Sequence, residues 1–453
     1  MMQQRGINRR ILAIAVPAIV SNITVPLLSL CDTAVTGHLG SEIYLGAIAV
    51  GGSMIQVIFW VFGFLRMGTT GLTAQSYGRR DASGCSLLFS RALLLAVFIG
   101  LLAIALQSPL LSLLLSLTGP AGEIRDFAAL YFRVCIWSAP ALLGSMTVCG
   151  WFLGMQDSKR PMIITISANL INVILSVALV YGCRMGFAGA PAGTLIANWC
   201  SLAIALLLVR RRNGGRLPLA PWSATVALDG LGRFFRVNSD IFLRSLCIMA
   251  VTLSFTAFGT RLGARTLAVN ALMLQFFFLY SHFMDGFAFA AEALTGDAKG
   301  GGDAAGMRRI TRALMLWTVA LAAGFSLLYF AGFRPFADLL TSQKEVVADA
   351  LHYRGWVTAL PWLACMAFLF DGFFIGVTAT RAMVLSAFVA TAAFFLSELL
   401  LTPMLAGGEM TAGLFGRTLR FDGNDILWFS FLLYLFFRGV LLSVWWKVGK
   451  PYR

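Results

Sequence analysis

Apolar positions in this chain come in long unbroken stretches, and twelve of them reach the roughly 20 residues needed to cross a hydrocarbon core of about 30 Å. They run approximately over 10–37, 44–75, 87–106, 127–153, 159–182, 187–209, 234–260, 266–296, 308–332, 351–376, 381–403 and 425–448. Unbroken apolarity predicts helices, which satisfy their backbone groups within the segment, whereas the strands of a membrane barrel would alternate. Arg9 and Arg10 precede the first stretch as they would a secretion signal. That stretch is too long for a signal, contains Asp32 and leads to no small-residue cleavage site, so a retained helix is expected. The fold class is therefore an all-α membrane protein with twelve transmembrane helices.

Composition agrees: 59% of the 453 residues are apolar and 12% charged, far from the roughly quarter-charged composition of soluble domains. A soluble globule, a disordered chain and a disulfide scaffold are all excluded on this balance. The net charge of +15 would point to a polyanion in a soluble protein, but here the basic residues sit on alternate loops. Arg5, Arg9 and Arg10 are followed by Arg79 and Arg80, Lys159 and Arg160, Arg210 to Arg212 with Arg216, Lys299 with Arg308 and Arg309, Arg381, and finally Lys447, Lys450 and Arg453. The positive-inside rule then places both termini in the cytoplasm, with the lipid bilayer as partner and no role for nucleic acid. The eight cysteines form no CxxC pair and three histidines offer little to a zinc enzyme, so neither a metal site nor enzymatic chemistry is expected.

The halves repeat one another. Leu72, Thr73, Asp81, Ala82 and Gly84 recur 222 residues later as Leu294, Thr295, Asp303, Ala304 and Gly306, and Phe152, Gly154 and Lys159 recur as Phe374, Gly376 and Arg381. Two distant segments with one spacing indicate duplication of a six-helix unit. Six is even, so the copies share an orientation and are related by an axis normal to the membrane, with a central site between them. The expected organisation is a lobe at 1–215, a basic glycine-containing linker at 216–232 and a lobe at 233–453. No GxxxxGK[ST] loop is present, so uphill transport would draw on an ion gradient.

A carboxylate at the centre of a membrane helix costs about 2.5–3.5 kcal/mol on insertion scales, so each one asks for a role. Asp32 shares a helix face with Ser29 and Thr36, and Pro17 and Pro26 earlier in that helix can each supply a bend. Thr165, Asn169, Asn172 and Ser176 form a polar stripe on the fifth helix, fitted equally to a cavity and to interhelical hydrogen bonding. In the second half, Gln275, His282, Asp285 and Glu292 line one face of the eighth helix and Asp371 lies in the tenth. Ion coupling and pairing with arginine are both open to this set. Asp240 and Arg244, spaced i, i+4, read most simply as an internal ion pair, with Arg244 otherwise free to neutralise a deeper acid.

The run Val25 to Leu28 with Cys31 to Gly40, then Phe64 to Met67 and Thr69 to Gln75, closely resembles the multidrug and toxic compound extrusion family, in particular the branch named after the DNA-damage-inducible protein F. Asp240 to Leu246 and Asp371 to Gly376 fit the same branch, and the resemblance covers nearly the whole chain. It implies a V-shaped antiporter of two six-helix lobes, exporting drug-like, often cationic compounds against H⁺ or Na⁺ entry. By the same resemblance Asp32 matches the family's helix-1 aspartate, Pro17 a proline where helix 1 bends, Asn172 a helix-5 asparagine and Thr194 a helix-6 threonine. Ser176 departs from the pattern, since relatives often place an acid there. That departure favours H⁺ as coupling ion, with Na⁺ the alternative. The expected protein is thus a monomeric multidrug exporter with no cofactor; the rival readings are a lipid-linked oligosaccharide flippase and a channel without antiport.

Overall fold

A computed structural model describes the backbone of residues 2–37, 41–227, 230–405, 410–414 and 417–449, with side chains at all of these except 2–5, 27–30, 32–34, 36–37, 404–405, 410–414 and 417–420. Twelve helices among them are long and apolar enough to span a membrane. The first lobe contains α1 (Met2–Gly37), α2 (Glu42–Gly78), α3 (Ala82–Ala105), α4 (Gly122–Gly154), α5 (Lys159–Gly182) and α6 (Gly186–Arg212). The second contains α7 (Leu231–Arg261), α8 (Ala264–Gly300), α9 (Ala304–Leu340), α10 (Arg354–Gly376), α11 (Thr380–Leu401) and α12 (Gly423–Gly449). All twelve coincide with the apolar stretches, the largest differences being eight residues at the start of α1 and at the end of α9.

The duplication extends to individual hydrogen bonds. Asp81 caps α3 by accepting from the Gly84 N–H at 2.8 Å, and Asp303 caps α9 by accepting from Gly306 at 2.7 Å. A Cβ on either glycine would stand 2.2 or 2.0 Å from the capping carboxylate, which explains why both copies keep glycine there. The Asp81 carboxyl, also held by the Ser83 hydroxyl, lies below the usual aspartate range. Before each cap, α2 and α8 end on left-handed residues, Arg80 (φ 59°) and Gly302 (φ 68°), and α4 and α10 end likewise on Gln156 (φ 62°) and Thr378 (φ 53°). Each of these pairs is 222 residues apart. Inside each lobe the same helices touch through the same glycine: a Cβ at Gly154 would lie 2.8 Å from the Thr70 carbonyl, and one at Gly376 2.5 Å from that of Glu292.

Between the lobes, α1 and α2 pack on α8, and backbones meet at the end of the bundle that carries the termini. A Cβ on Gly78 would sit 2.1 Å from the Asp297 carbonyl, one on Gly300 2.0 Å from that of Gln75, and one on Gly71 2.2 Å from that of Ile375. The chain uses glycine here because any side chain would hold the lobes apart.

The sequence pattern leaves some local detail unannounced. Helix α2 is interrupted at Phe62 and Gly63, and α4 contains a 3₁₀ turn at Ile136–Ser138, where Pro140 has no N–H to donate to the Ile136 carbonyl. Short helices at Gln107–Thr118, Trp222–Val226 and Lys344–His352 lie in connections. Among the described residues the all-α architecture carries one exception, an antiparallel hairpin of β1 (Met410–Leu414) and β2 (Arg417–Phe421) between α11 and α12.

Candidate functional site between the lobes

The face of α8 that meets the first lobe carries two of the predicted acids, Asp285 and Glu292, and they have different surroundings. Glu292, 2% exposed, receives two hydrogen bonds from Arg66 on α2, at 3.1 and 3.4 Å, so a buried ion pair joins the lobes. The Arg66 guanidinium also lies 4.0 Å from the centre of the Phe289 ring, one turn back along α8, which stabilises the cation in a site short of water. Asp285, two turns from Glu292, is half-buried and makes no hydrogen bond or ion pair with any described residue. His282 turns its ring nitrogen to its own helix at the Phe278 carbonyl, and its backbone oxygen accepts from Asn22 of α1 at 3.3 Å. Gln275 is exposed and joins no polar group on this face.

Asp371 lies apart from that stripe, buried inside the second lobe. Arg244 of α7 and Arg438 of α12 both donate to its Oδ2, and Arg438 also donates to the Tyr434 hydroxyl at 3.2 Å. The expected Asp240 to Arg244 ion pair does not form: Asp240 accepts from the Thr380 hydroxyl at 2.6 Å. A surface pair at i, i+4 gains only a few tenths of a kcal/mol, roughly, against the several that an unpaired buried carboxylate costs, so the deeper acid takes the arginine. Arg438 was not among the predicted residues. Its signal was available, since it is a lone guanidinium well inside the last apolar stretch.

In the first lobe the polar stripe of α5 faces α1 and α6. Asn172 donates to the Thr194 hydroxyl at 3.0 Å and Ser176 donates to the Asn172 carbonyl oxygen at 3.4 Å. Asn169 donates to Thr24 of α1 at 2.9 Å, and the Tyr181 hydroxyl donates to the Val35 carbonyl at 2.6 Å. The α1 turn bearing Asp32 lies between these two contacts, although the side chains of Ser29, Asp32 and Thr36 are outside the described residues. Helix α1 runs through Pro17 and Pro26 as one element, so neither proline ends it.

Two related clusters close the termini end. Arg233 donates to the Gln75 side chain at 2.6 Å and to Thr378 at 2.9 Å, and Gln75 donates to the Gly376 carbonyl at 2.9 Å. Arg10 donates to Asp297 at 2.9 Å and to Gln156 at 3.0 Å. Gln75 and Asp297, like Gln156 and Thr378, are 222 residues apart, and Arg10 and Arg233 differ by 223. Each arginine thus ties a residue of its own lobe to the opposite one. The bundle is latched here twice, once for each copy of the repeat.

Comparison with known proteins resolves which transporter class this is. The family model MatE matches the chain twice, at residues 17–178 and 241–404, one match in each lobe. The chain belongs to the MatE family. This family of multidrug efflux transporters contains transporters rather than enzymes, and the chain is accordingly a multi-pass membrane transporter. It is 36% identical over 434 residues to DNA damage-inducible protein F of Escherichia coli (strain K12), covering 96% of this chain and 91% of that one. Its fold is similar to a crystal structure of a MATE protein in the bent conformation, with TM-score 0.86 at 16% identity over 98% of this chain and 95% of the other. It is also similar to an outward-facing MATE family transporter of the MOP superfamily, with TM-score 0.85 at 16% identity over 98% and 96%. Within this MatE chain, the inter-lobe face of α8, the arginine pair around Asp371 and the α5 stripe each place polar groups inside apolar spans.

Proposed function

We propose that this transporter exports amphipathic, cationic, drug-like compounds across the cytoplasmic (inner) membrane in exchange for H⁺, as a monomer of two lobes, 1–215 and 233–453, with both termini cytoplasmic. One observation carries the choice of ion: Asn172, Ser176 and Thr194, beside the α1 turn that bears Asp32, bond to one another and contribute no carboxylate. A hard cation such as Na⁺ needs several oxygen ligands at once, and the oxygens here are engaged with one another, whereas a proton needs one carboxylate alone. Asp32 is then the coupling group. Glu292 and Asp371 are committed to arginines, and Asp285, half-exposed and unpartnered on the α8 face, provides the negative charge that a cationic substrate meets.

With the termini in the cytoplasm, the latched end is the inner one and the lobes are closed on the cytoplasmic side. Proton uptake by Asp32 removes its charge, competes with the bound cation and shifts the population between the two openings. Each proton entering at about 100 mV contributes about 2.3 kcal/mol, which offsets the expulsion of one monovalent cation. Asp32→Asn should abolish export driven by a pH gradient in membrane vesicles while leaving insertion and expression unchanged. Normal export by that variant would remove Asp32 from the mechanism.

A further inference from the structure

A second site lies at the latched end of the second lobe, where the starts of α7 and α11 and the ends of α10 and α12 line an open cavity of about 600 Å³. Arg233, Arg236 and Arg381 line it together with the single acid Asp240, leaving two positive charges in excess. Arg233 is engaged by the latch and Asp240 by Thr380. Arg236 and Arg381 are exposed and make no hydrogen bond or ion pair with any described residue. Apart from Thr378 and Thr380 the remaining wall is apolar and includes Trp445, an aromatic of the kind that settles at headgroup level, and Leu385, 54% exposed. Two unpartnered guanidiniums above an apolar wall, at the boundary of a membrane protein, match one ligand chemistry: a phosphate carrying acyl chains.

We propose that this cavity binds the phosphate of an anionic phospholipid in the leaflet on the termini side, through Arg236 and Arg381, with the acyl chains running past Leu385. The leaflet assignment rests on the proposed cytoplasmic placement of the termini; the binding itself does not. The bound phosphate would stand beside the Arg233 and Thr378 latch, so lipid occupancy favours the latched state. A free phosphate ion shares the headgroup chemistry, and the test separates the two sources.

Full-length protein is placed in phosphatidylcholine bilayers with a minority of phosphatidylglycerol, and the anionic lipid retained on release is counted by native mass spectrometry. Wild type should retain phosphatidylglycerol, and R236Q/R381Q should lose about thirtyfold of that retention, at roughly fivefold for each basic contact removed. The pair R211Q/R216Q removes the same charge from exposed arginines outside the cavity and should retain lipid as wild type does. If R236Q/R381Q fails to fold, Arg381→Gln alone should lose about fivefold. Inorganic phosphate, added to protein in phosphatidylcholine alone, should leave the unfolding midpoint unchanged. A midpoint raised in wild type but not in R236Q/R381Q would assign the same site to a free phosphate. Equal phosphatidylglycerol retention by wild type and R236Q/R381Q, or an equal loss in R211Q/R216Q, would overturn the proposal.

Discussion

Asp371→Ala should destabilise the second lobe by about 3–5 kcal/mol, the usual cost of removing one partner from a buried ionic cluster. Arg244 and Arg438 converge on a single carboxylate oxygen from two different helices, and both side chains are less than a tenth exposed. Without Asp371 two guanidiniums would face each other in a buried interior with no carboxylate in contact. Asp371→Asn should fare little better, because an amide keeps the shape but loses the charge. The triple variant Asp371→Leu, Arg244→Met, Arg438→Met should recover much of the lost stability, because an apolar set of similar volume leaves no buried charge uncompensated. Thermal unfolding of purified protein in detergent reads all three. An Asp371→Ala midpoint equal to wild type would show that the cluster does not hold α7, α10 and α12 together.

The ion pair between Arg66 and Glu292 should act on conformation as much as on stability. It spans the lobes and is buried, so Arg66→Ala leaves Glu292 uncompensated only while the lobes stay closed around it. Opening at the termini end would return that carboxylate to water, so the variant shifts the population toward the unlatched state. With the eight native cysteines replaced, a single cysteine at Ala298, a buried position on α8, should react with a thiol reagent at least about tenfold faster in Arg66→Ala. The exchange Arg66→Glu with Glu292→Arg should return labelling most of the way to the wild-type rate. Labelling that ignores Arg66→Ala would mean that the pair does not hold the lobes closed.

The spans were readable because a membrane forces continuous apolarity on every crossing, and the six-helix repeat because two pairs of segments kept one offset. Local chemistry at the caps was partly readable: Asp81 with Gly84 and Asp303 with Gly306 recur as letters before they are seen as caps. The site was less legible. Asp371 takes its arginines from positions 127 and 67 residues away, and no short spacing announces a contact made by tertiary packing. The i, i+4 spacing of Asp240 and Arg244 suggested a local pair, but burial of Asp371 decided the competition. The two latches escaped notice because the repeat conserves their positions and not their chemistry, with Gln75 in one copy and Asp297 in the other. The hairpin lies between two apolar stretches, where no periodic signal marks it.

Proton coupling is tested most directly with the purified wild-type protein in proteoliposomes, following a fluorescent cationic dye while H⁺ and Na⁺ gradients are imposed separately. A pH gradient alone should drive concentrative dye movement opposite to the proton flow, and a Na⁺ gradient at constant pH should drive none. Dye movement driven by Na⁺ alone, or equilibrating flux that neither gradient can drive uphill, would contradict the proposed mechanism.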